Sequence, residues 1–347
     1  MSKEKFIPAD DPRFAYMGRI DLTTEGAVFY YAGSQVTFGF TGGSLKIVIN
    51  NFRIYNIMQI GYLLDGIQGK LDIDVNGTDT TLEIPDIKGG GEHTFTLFKR
   101  QDASHFYTFK GVYLNENAEL SSVKREYSMR IEAFGDSVSA GSLCEANYYV
   151  GMPDPEDNPQ GIYDNEFFSF ISITARLLNA ELHNNSQGGI ALFDGTGYYH
   201  APDFIGLEST WDKLSYIPEA GITQWDFSRF TPDVVIIAIG QNDNHAEGCE
   251  DLDIHEPNYR SRWISAYAEL VKKLHGKYPR AKFVLTTTVL MHDPERDRAI
   301  GEVADMFDFA YHNIFTRNGA ATPGHPRIAE NGEMAAELSA FIRGIMK

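Results

Sequence analysis

Cysteine is scarce in this sequence: 347 residues hold only Cys144 and Cys249. The two are far apart and form no CxxC pattern, which excludes a disulfide framework and a cysteine-built zinc site and leaves two buried free thiols as the expectation. No run reaches the ~18 consecutive apolar residues of a membrane-spanning helix. The opening MSKEKFIPADD is charged and has no apolar h-region, so a cytoplasmic chain is expected, or a secreted one if a signal peptide has been removed. Positive charge is also short: 30 Lys and Arg stand against 48 Asp and Glu, a formal net charge of -18. Such a surface repels nucleic acid and anionic membranes. A neutral partner such as a sugar suits it.

What remains is ordinary globular composition, 43% hydrophobic and 22% charged, at a length that suits two domains. From about Arg19 to Leu120 the chain reads as short strands separated by glycine-containing turns: AVFYYAG, QVTFGFTGG, LKIVINN, GYLLDGI, LDIDVNG, HTFTLFKR and FYTFKGVYL. Leu45, Ile47 and Ile49 alternate with Lys46 and Asn50, and the spacing is that of a β-sandwich. Asp65-Gly66 and Asn76-Gly77 supply the positive φ that hairpin turns need. The polar run Ser121 to Tyr127 then marks a boundary, giving an N-terminal β-sandwich over 1–125 and a second domain over 126–347.

The second domain alternates strands and helices. IEAFG (131–135) is a short apolar run, a helix is expected over EFFSFISITARLLNA (166–180) with Asp164 or Asn165 as its cap, and ELHNNS reads as a strand. DVVIIAIG (233–240) is the clearest buried parallel strand. A helix over Tyr259 to His275, the strand AKFVLTTTV and a last helix over Ile328 to Met346 complete an α/β pattern with a parallel sheet between two helical layers. Ligands of such sheets sit beyond the carboxyl ends of the strands. The irregular segment Glu145 to Asn165, with three prolines and several acidic residues, is long enough to be functional. Tyr148, Tyr149 and Tyr163 suggest a binding-site wall or a subunit contact.

Polar residues fall in a definite order at the turns after these strands. Gly135-Asp136-Ser137 comes first, then Gly188-Gly189, then Gly240-Gln241-Asn242-Asp243, and Gly324-His325-Pro326 precedes the last helix. The order resembles that of the SGNH (GDSL-type) hydrolases, whose four blocks supply Ser, Gly, Asn and His. With the sandwich in front, and with Gly18-Arg19, Gly33-Ser34, His93 and Phe98-Lys99-Arg100 within it, the whole chain resembles carbohydrate esterase family 2. In that family a small jelly roll precedes an SGNH hydrolase domain that removes O-acetyl groups from plant polysaccharides.

The resemblance implies Ser137 as nucleophile and His325 as base, because a serine hydroxyl needs an adjacent base to attack an ester. It assigns the oxyanion donors to the N–H of Ser137, the N–H of Gly188 and the side-chain amide of Asn242, with Gly188 against Gly189 left open. Asp136 would hold its own loop. The triad Asp expected three residues before the histidine is absent, since that position is Thr322. A Ser-His dyad with a backbone carbonyl orienting His325 is therefore expected, and a carboxylate on the ring, from Glu333 or Asp305 for instance, would overturn it. Tyr198, Tyr199, Trp211 and Trp225 are candidates for a sugar platform. No metal or organic cofactor is implied. The expected function is a carbohydrate O-acetyl esterase acting on xylo-, manno- or gluco-configured glycans; the alternatives are another SGNH esterase or thioesterase and a non-catalytic glycan-binding protein.

Overall fold

A computed structural model describes residues 3–52, 57–156, 161–245, 252–287, 289–290, 292–317 and 323–347. Two antiparallel sheets face each other in the N-terminal domain. One runs in the order Ile20–Thr23, Gly26–Phe29, Phe106–Asn115, Leu45–Phe52, Asp79–Glu83, with Glu4–Pro8 paired to Phe106–Asn115. The other runs Leu120–Ser121, Gln35–Thr41, Glu92–Lys99, Gln59–Leu64, Ile67–Asp72, with Ala15–Met17 paired to Gln35–Thr41. Alternate residues of both sheets, such as Val36, Phe38 and Phe40 against Leu45, Ile47 and Ile49, meet in one core. Asp65 (φ 53) and Gly66 (φ 82) turn the hairpin between Gln59–Leu64 and Ile67–Asp72, as its Asp-Gly pair requires.

The second domain is built on five parallel strands: β1 (Met129–Gly135), β2 (Ala180–Asn184), β3 (Val234–Ala238), β4 (Lys282–Thr286) and β5 (Ala310–His312), arranged β2-β1-β3-β4-β5. Among the described residues the longer helices α1 (Phe170–Leu177), α2 (Pro257–Lys277), α3 (Pro294–Ala304) and α4 (Ile328–Ile345) flank them. The period-2 alternation of a strand explains the layers. Val234, Ile236 and Ala238 of β3 pack with Phe170, Ile171, Met334 and Leu338 of α1 and α4. Val235 and Ile237 pack with Trp263, Tyr267, Leu270 and Ile300 of α2 and α3 on the other face. This order reverses between β1 and β3, and the crevice outside a doubly wound sheet opens at such a reversal.

Local chemistry sets the departures from the sequence reading. Asn165 accepts the Phe167 N–H (3.2 Å) over a 3-10 turn, Glu166–Phe168. Ser169 then accepts the Ser172 N–H (3.1 Å) and starts α1, so the expected single helix is two short pieces. Helix α3 and strand β5 were not foreseen, although Asp293-Pro294 is a cap followed by proline at the first helical position. Cys144 is a buried free thiol, and Cys249 lies outside the described residues.

A buried ion pair joins the domains. Arg19 of the sandwich reaches Glu132 of β1 (Nη2 to Oε1, 3.0 Å) and donates to the carbonyls of Trp211 (3.0 Å) and Lys213 (2.7 Å). The rings of Tyr31, Phe134, Trp225 and Phe227 surround its guanidinium, supplying the cation–π environment a desolvated arginine needs. Among the described residues no helix is long and apolar enough to cross a membrane.

Candidate active site

Strand β1 ends at Gly135, where a Cβ would meet Ser139 Oγ at 2.2 Å; only glycine lets the chain fold back so closely. Asp136, fully buried, accepts the Val138 N–H (3.1 Å) and the Gln241 side-chain amide (2.5 Å). It thus ties the turn after β1 to the turn after β3. Burial pushes its carboxyl up to about 6 against the pull of these two bonds. Ser137 follows in a compact turn, with the Ala140 N–H on the Asp136 carbonyl (3.0 Å) and the Ser142 N–H on its own (2.9 Å). Its own N–H has no partner among the described residues and is free for a ligand.

His325 reaches this turn from the loop before α4. Its Nε2 lies 2.8 Å from Ser137 Oγ. Its Nδ1 lies 2.7 Å from Asp154 Oδ2, its backbone N–H donates to Asp154 Oδ1 (2.9 Å), and Arg327 Nη2 stands 2.9 Å from that same Oδ1. The expected dyad with a carbonyl on the ring is therefore overturned. A carboxylate orients His325, and it comes from the irregular Glu145 to Asn165 segment. Glu333 instead pairs with Arg317 (2.8 Å), Asp305 caps the end of α3, and Thr322 lies outside the described residues.

The segment is held at its ends. The Glu145 carboxylate accepts from Arg100 (2.6 Å) and Asn165 (2.7 Å), and the Glu145 N–H donates to the Tyr163 carbonyl (3.0 Å). Gly324 makes room for Asp154, since a Cβ there would fall 2.5 Å from Oδ1. Burial alone would raise the Asp154 carboxyl. The hydrogen bonds and charges of His325 and Arg327 outweigh it and hold the group down to about 2. Nothing in the sequence singles out Asp154 among the acidic residues of its loop; the glycine before His325 is the one local signal of close approach.

The turn after β2 closes the site. The Ile190 N–H donates to the Gln187 carbonyl (3.3 Å) across Gly188-Gly189, and Gly189 has φ 74. The Gly188 N–H, expected as an oxyanion donor, is bonded to Asp102 Oδ2 (2.9 Å). The Gly189 N–H has no partner among the described residues and is the free donor of this turn. Asn242 gives one amide hydrogen to the Ile190 carbonyl (3.0 Å), leaving its second. Behind it Asp243 accepts from the Leu192 N–H (3.1 Å) and Trp263 Nε1 (2.6 Å), fixing the turn after β3.

Of the four sugar-platform candidates, three are packing residues. Tyr199 and Trp225 belong to the small core under the sandwich edge, Trp211 to the α2 side of the sheet, and all three are buried. The Trp225 ring lies between the guanidinium groups of Arg19 and Arg229, and the Trp211 ring packs against Phe227, so neither offers a face to a ligand. Tyr198 alone is open, 53% exposed, and it stacks on His245 at 3.6 Å beside Gly189. Tyr148, in the loop that carries Asp154, is 96% exposed. Among the described residues no group of three or more His, Cys, Asp or Glu could hold a metal ion.

Comparison with known proteins places this geometry in context. Residues 16–123 match the family model Carbohydrate esterase 2 N-terminal. An acetylxylan esterase / glucomannan deacetylase of Cellvibrio japonicus is 26% identical over 100% of this chain and 92% of its own length. The cellulase/esterase CelE of Acetivibrio thermocellus is 25% identical over 96% of this chain, which spans 40% of that protein. Among solved structures, a family two carbohydrate esterase from Clostridium thermocellum in complex with cellohexaose superposes with a TM-score of 0.80 at 24% identity, covering 96% of this chain and 99% of that one. That likeness extends the shared fold to both domains.

Proposed function

The chain belongs to carbohydrate esterase family 2 and is an esterase, and from that premise we propose that it removes O-acetyl groups from plant glycans or their oligosaccharides through an acetyl-enzyme on Ser137. The observation that carries the reading is the relay Ser137 Oγ to His325 Nε2 (2.8 Å) and His325 Nδ1 to Asp154 (2.7 Å). The curated relatives, an acetylxylan esterase / glucomannan deacetylase and a cellulase/esterase, point to acetylated xylo-, manno- or gluco-configured chains. A neutral glycan also suits a surface with a formal net charge of -18.

In this reading Ser137 Oγ attacks the acetyl carbonyl carbon while His325 Nε2 takes its proton. Asp154 keeps the imidazole in the tautomer with Nδ1–H and stabilises the imidazolium that forms. The N–H groups of Ser137 and Gly189 and the free amide hydrogen of Asn242 receive the oxyanion; each such donor is worth ~3 to 4 kcal/mol in the transition state. Collapse expels the sugar hydroxyl, which takes the proton from His325. Water, deprotonated by the same nitrogen, then releases acetate. Tyr198 offers the flat face for the pyranose. The test is acetate release from acetylated xylan, glucomannan and cello-oligosaccharides by the wild type and Ser137→Ala. Release by the wild type alone supports the reading, whereas glycan binding without release by either protein overturns it in favour of a binding protein.

A further inference from the structure

We propose that Asp102, a residue of the β-sandwich, is a positioning residue for acyl transfer: it holds the Gln187-Gly188-Gly189 turn in the form that leaves the Gly189 N–H free beside Ser137. The proposal rests on the esterase reading of Ser137. Asp102 is almost fully buried, and its Oδ2 accepts two donors of that one turn, the Gly188 N–H (2.9 Å) and the Gln187 side-chain amide (3.0 Å). The turn itself is next to the nucleophile, because a Cβ on Gly188 would stand 3.8 Å from the Ser137 Cβ and 2.4 Å from Asp102 Oδ2.

The sandwich builds the corner that delivers this carboxylate. Glu92–Lys99 ends in a buried lysine whose ammonium donates to the carbonyls of Gln101 (2.6 Å) and Asp102. Asp102 Oδ1 accepts the Ser104 N–H (2.9 Å), so the side chain is fixed at both oxygens. Gln187 is clamped in turn, with its amide on Ser104 Oγ (2.9 Å) and its carbonyl oxygen under the Tyr216 hydroxyl (3.0 Å). A turn of two glycines has no side chain of its own to define its shape. Here the acceptor from the other domain defines it and engages the Gly188 N–H, while the Gly189 N–H has no partner among the described residues. A plain domain strut would require no carboxylate on the glycine next to the nucleophile.

Asp102→Asn and Asp102→Ala separate these roles. The isosteric Asn keeps the packing volume but cannot accept from Gly188, Gln187 and Ser104 together. Each variant is assayed for kcat and KM on acetylated xylo-oligosaccharides, for Ser137 phosphorylation by diethyl 4-nitrophenyl phosphate, whose phosphoryl oxygen uses the same donors, and for Tm. The expected result is a kcat lower by about ten- to a hundred-fold, KM within about threefold, and a parallel slowing of phosphorylation, with Asp102→Asn still folded. Asp102→Ala, which removes both bonds to the turn, at wild-type kcat and wild-type phosphorylation rate, or a loss confined to KM in either variant, overturns the proposal. A wild type that neither releases acetate nor is phosphorylated at Ser137 overturns the esterase reading itself, which is a different result.

Discussion

Asp154 and His325 stand 171 positions apart in the chain and 2.7 Å apart at the imidazole. Asp154 binds the same histidine twice, at Nδ1 and at the backbone N–H, while Arg327 neutralises its second oxygen. Loss of the acid from a Ser-His-Asp relay leaves the imidazole in the wrong tautomer and costs ~10⁴ in turnover. Asp154→Asn is therefore expected to lower kcat on acetylated xylo-oligosaccharides by about three to four orders of magnitude with little change in KM. Activity within a few-fold of wild type would mean that the ring is oriented without it.

The pH dependence follows from the same pair. The Asp154 carboxyl is held down to about 2, so it stays ionised across the acid limb of kcat/KM and adds no break of its own there. The expected profile shows no break between about pH 3 and 5 that belongs to Asp154. For stability the sign is that of a depressed carboxyl: its contribution is present above the unfolded value near ~3.8 and is lost as pH falls toward 2. A break between about pH 3 and 5 that Asp154→Asn removes would contradict this assignment.

Much of this architecture was legible because strong patterns survive any context. The run Val234 to Ala238 is apolar on both faces since helices cover both, and the Asp65-Gly66 hairpin has the residues its φ values demand. Ser137, Asn242 and His325 are assigned through the family resemblance, whose ordered blocks fall at the ends of strands and before the last helix. Asp154 could not be read, since it sits in a loop with no periodicity and its partner is distant in sequence. Trp211 and Trp225 resist reading for a similar reason: a tryptophan signals large apolar area, and only distant partners, Phe227 for Trp211 and the buried Arg19 for Trp225, decide that this area faces the interior. The choice between Gly188 and Gly189 stays open in the sequence, because Asp102, which engages the Gly188 N–H, is a long-range contact that no spacing encodes.

The Arg19–Glu132 pair offers a test of how the domains are joined. Both side chains are fully buried, so removal of one partner strands the other charge and is expected to cost ~3 to 5 kcal/mol. Arg19→Met and Glu132→Leu should each lower the urea midpoint sharply. The double variant should lose much less than the sum, because two apolar side chains leave no unpaired charge. Additive losses in this cycle would show that the pair is not coupled.

Asp164 should make the fold more stable in mild acid than at neutrality. It is buried behind the active-site loop, where its Oδ1 accepts the Leu143 N–H (2.8 Å), and burial pushes its carboxyl from the usual carboxylate range up to about 6, with Asp102 adding to the effect. Below ~4 both folded and unfolded states are protonated. Between ~4 and 6 the folded state holds a proton that the unfolded state has released, so stability falls as pH rises, and above 6 the full cost of the buried charge is present. Two units correspond to on the order of 3 kcal/mol. Asp164→Asn retains the oxygen that accepts from Leu143 and carries no charge. Its unfolding free energy relative to wild type is therefore expected to rise by ~2 to 3 kcal/mol between pH 4 and pH 7, read from urea titrations at one-unit intervals. A difference that stays flat across that range would show that Asp164 is ionised in the folded protein throughout.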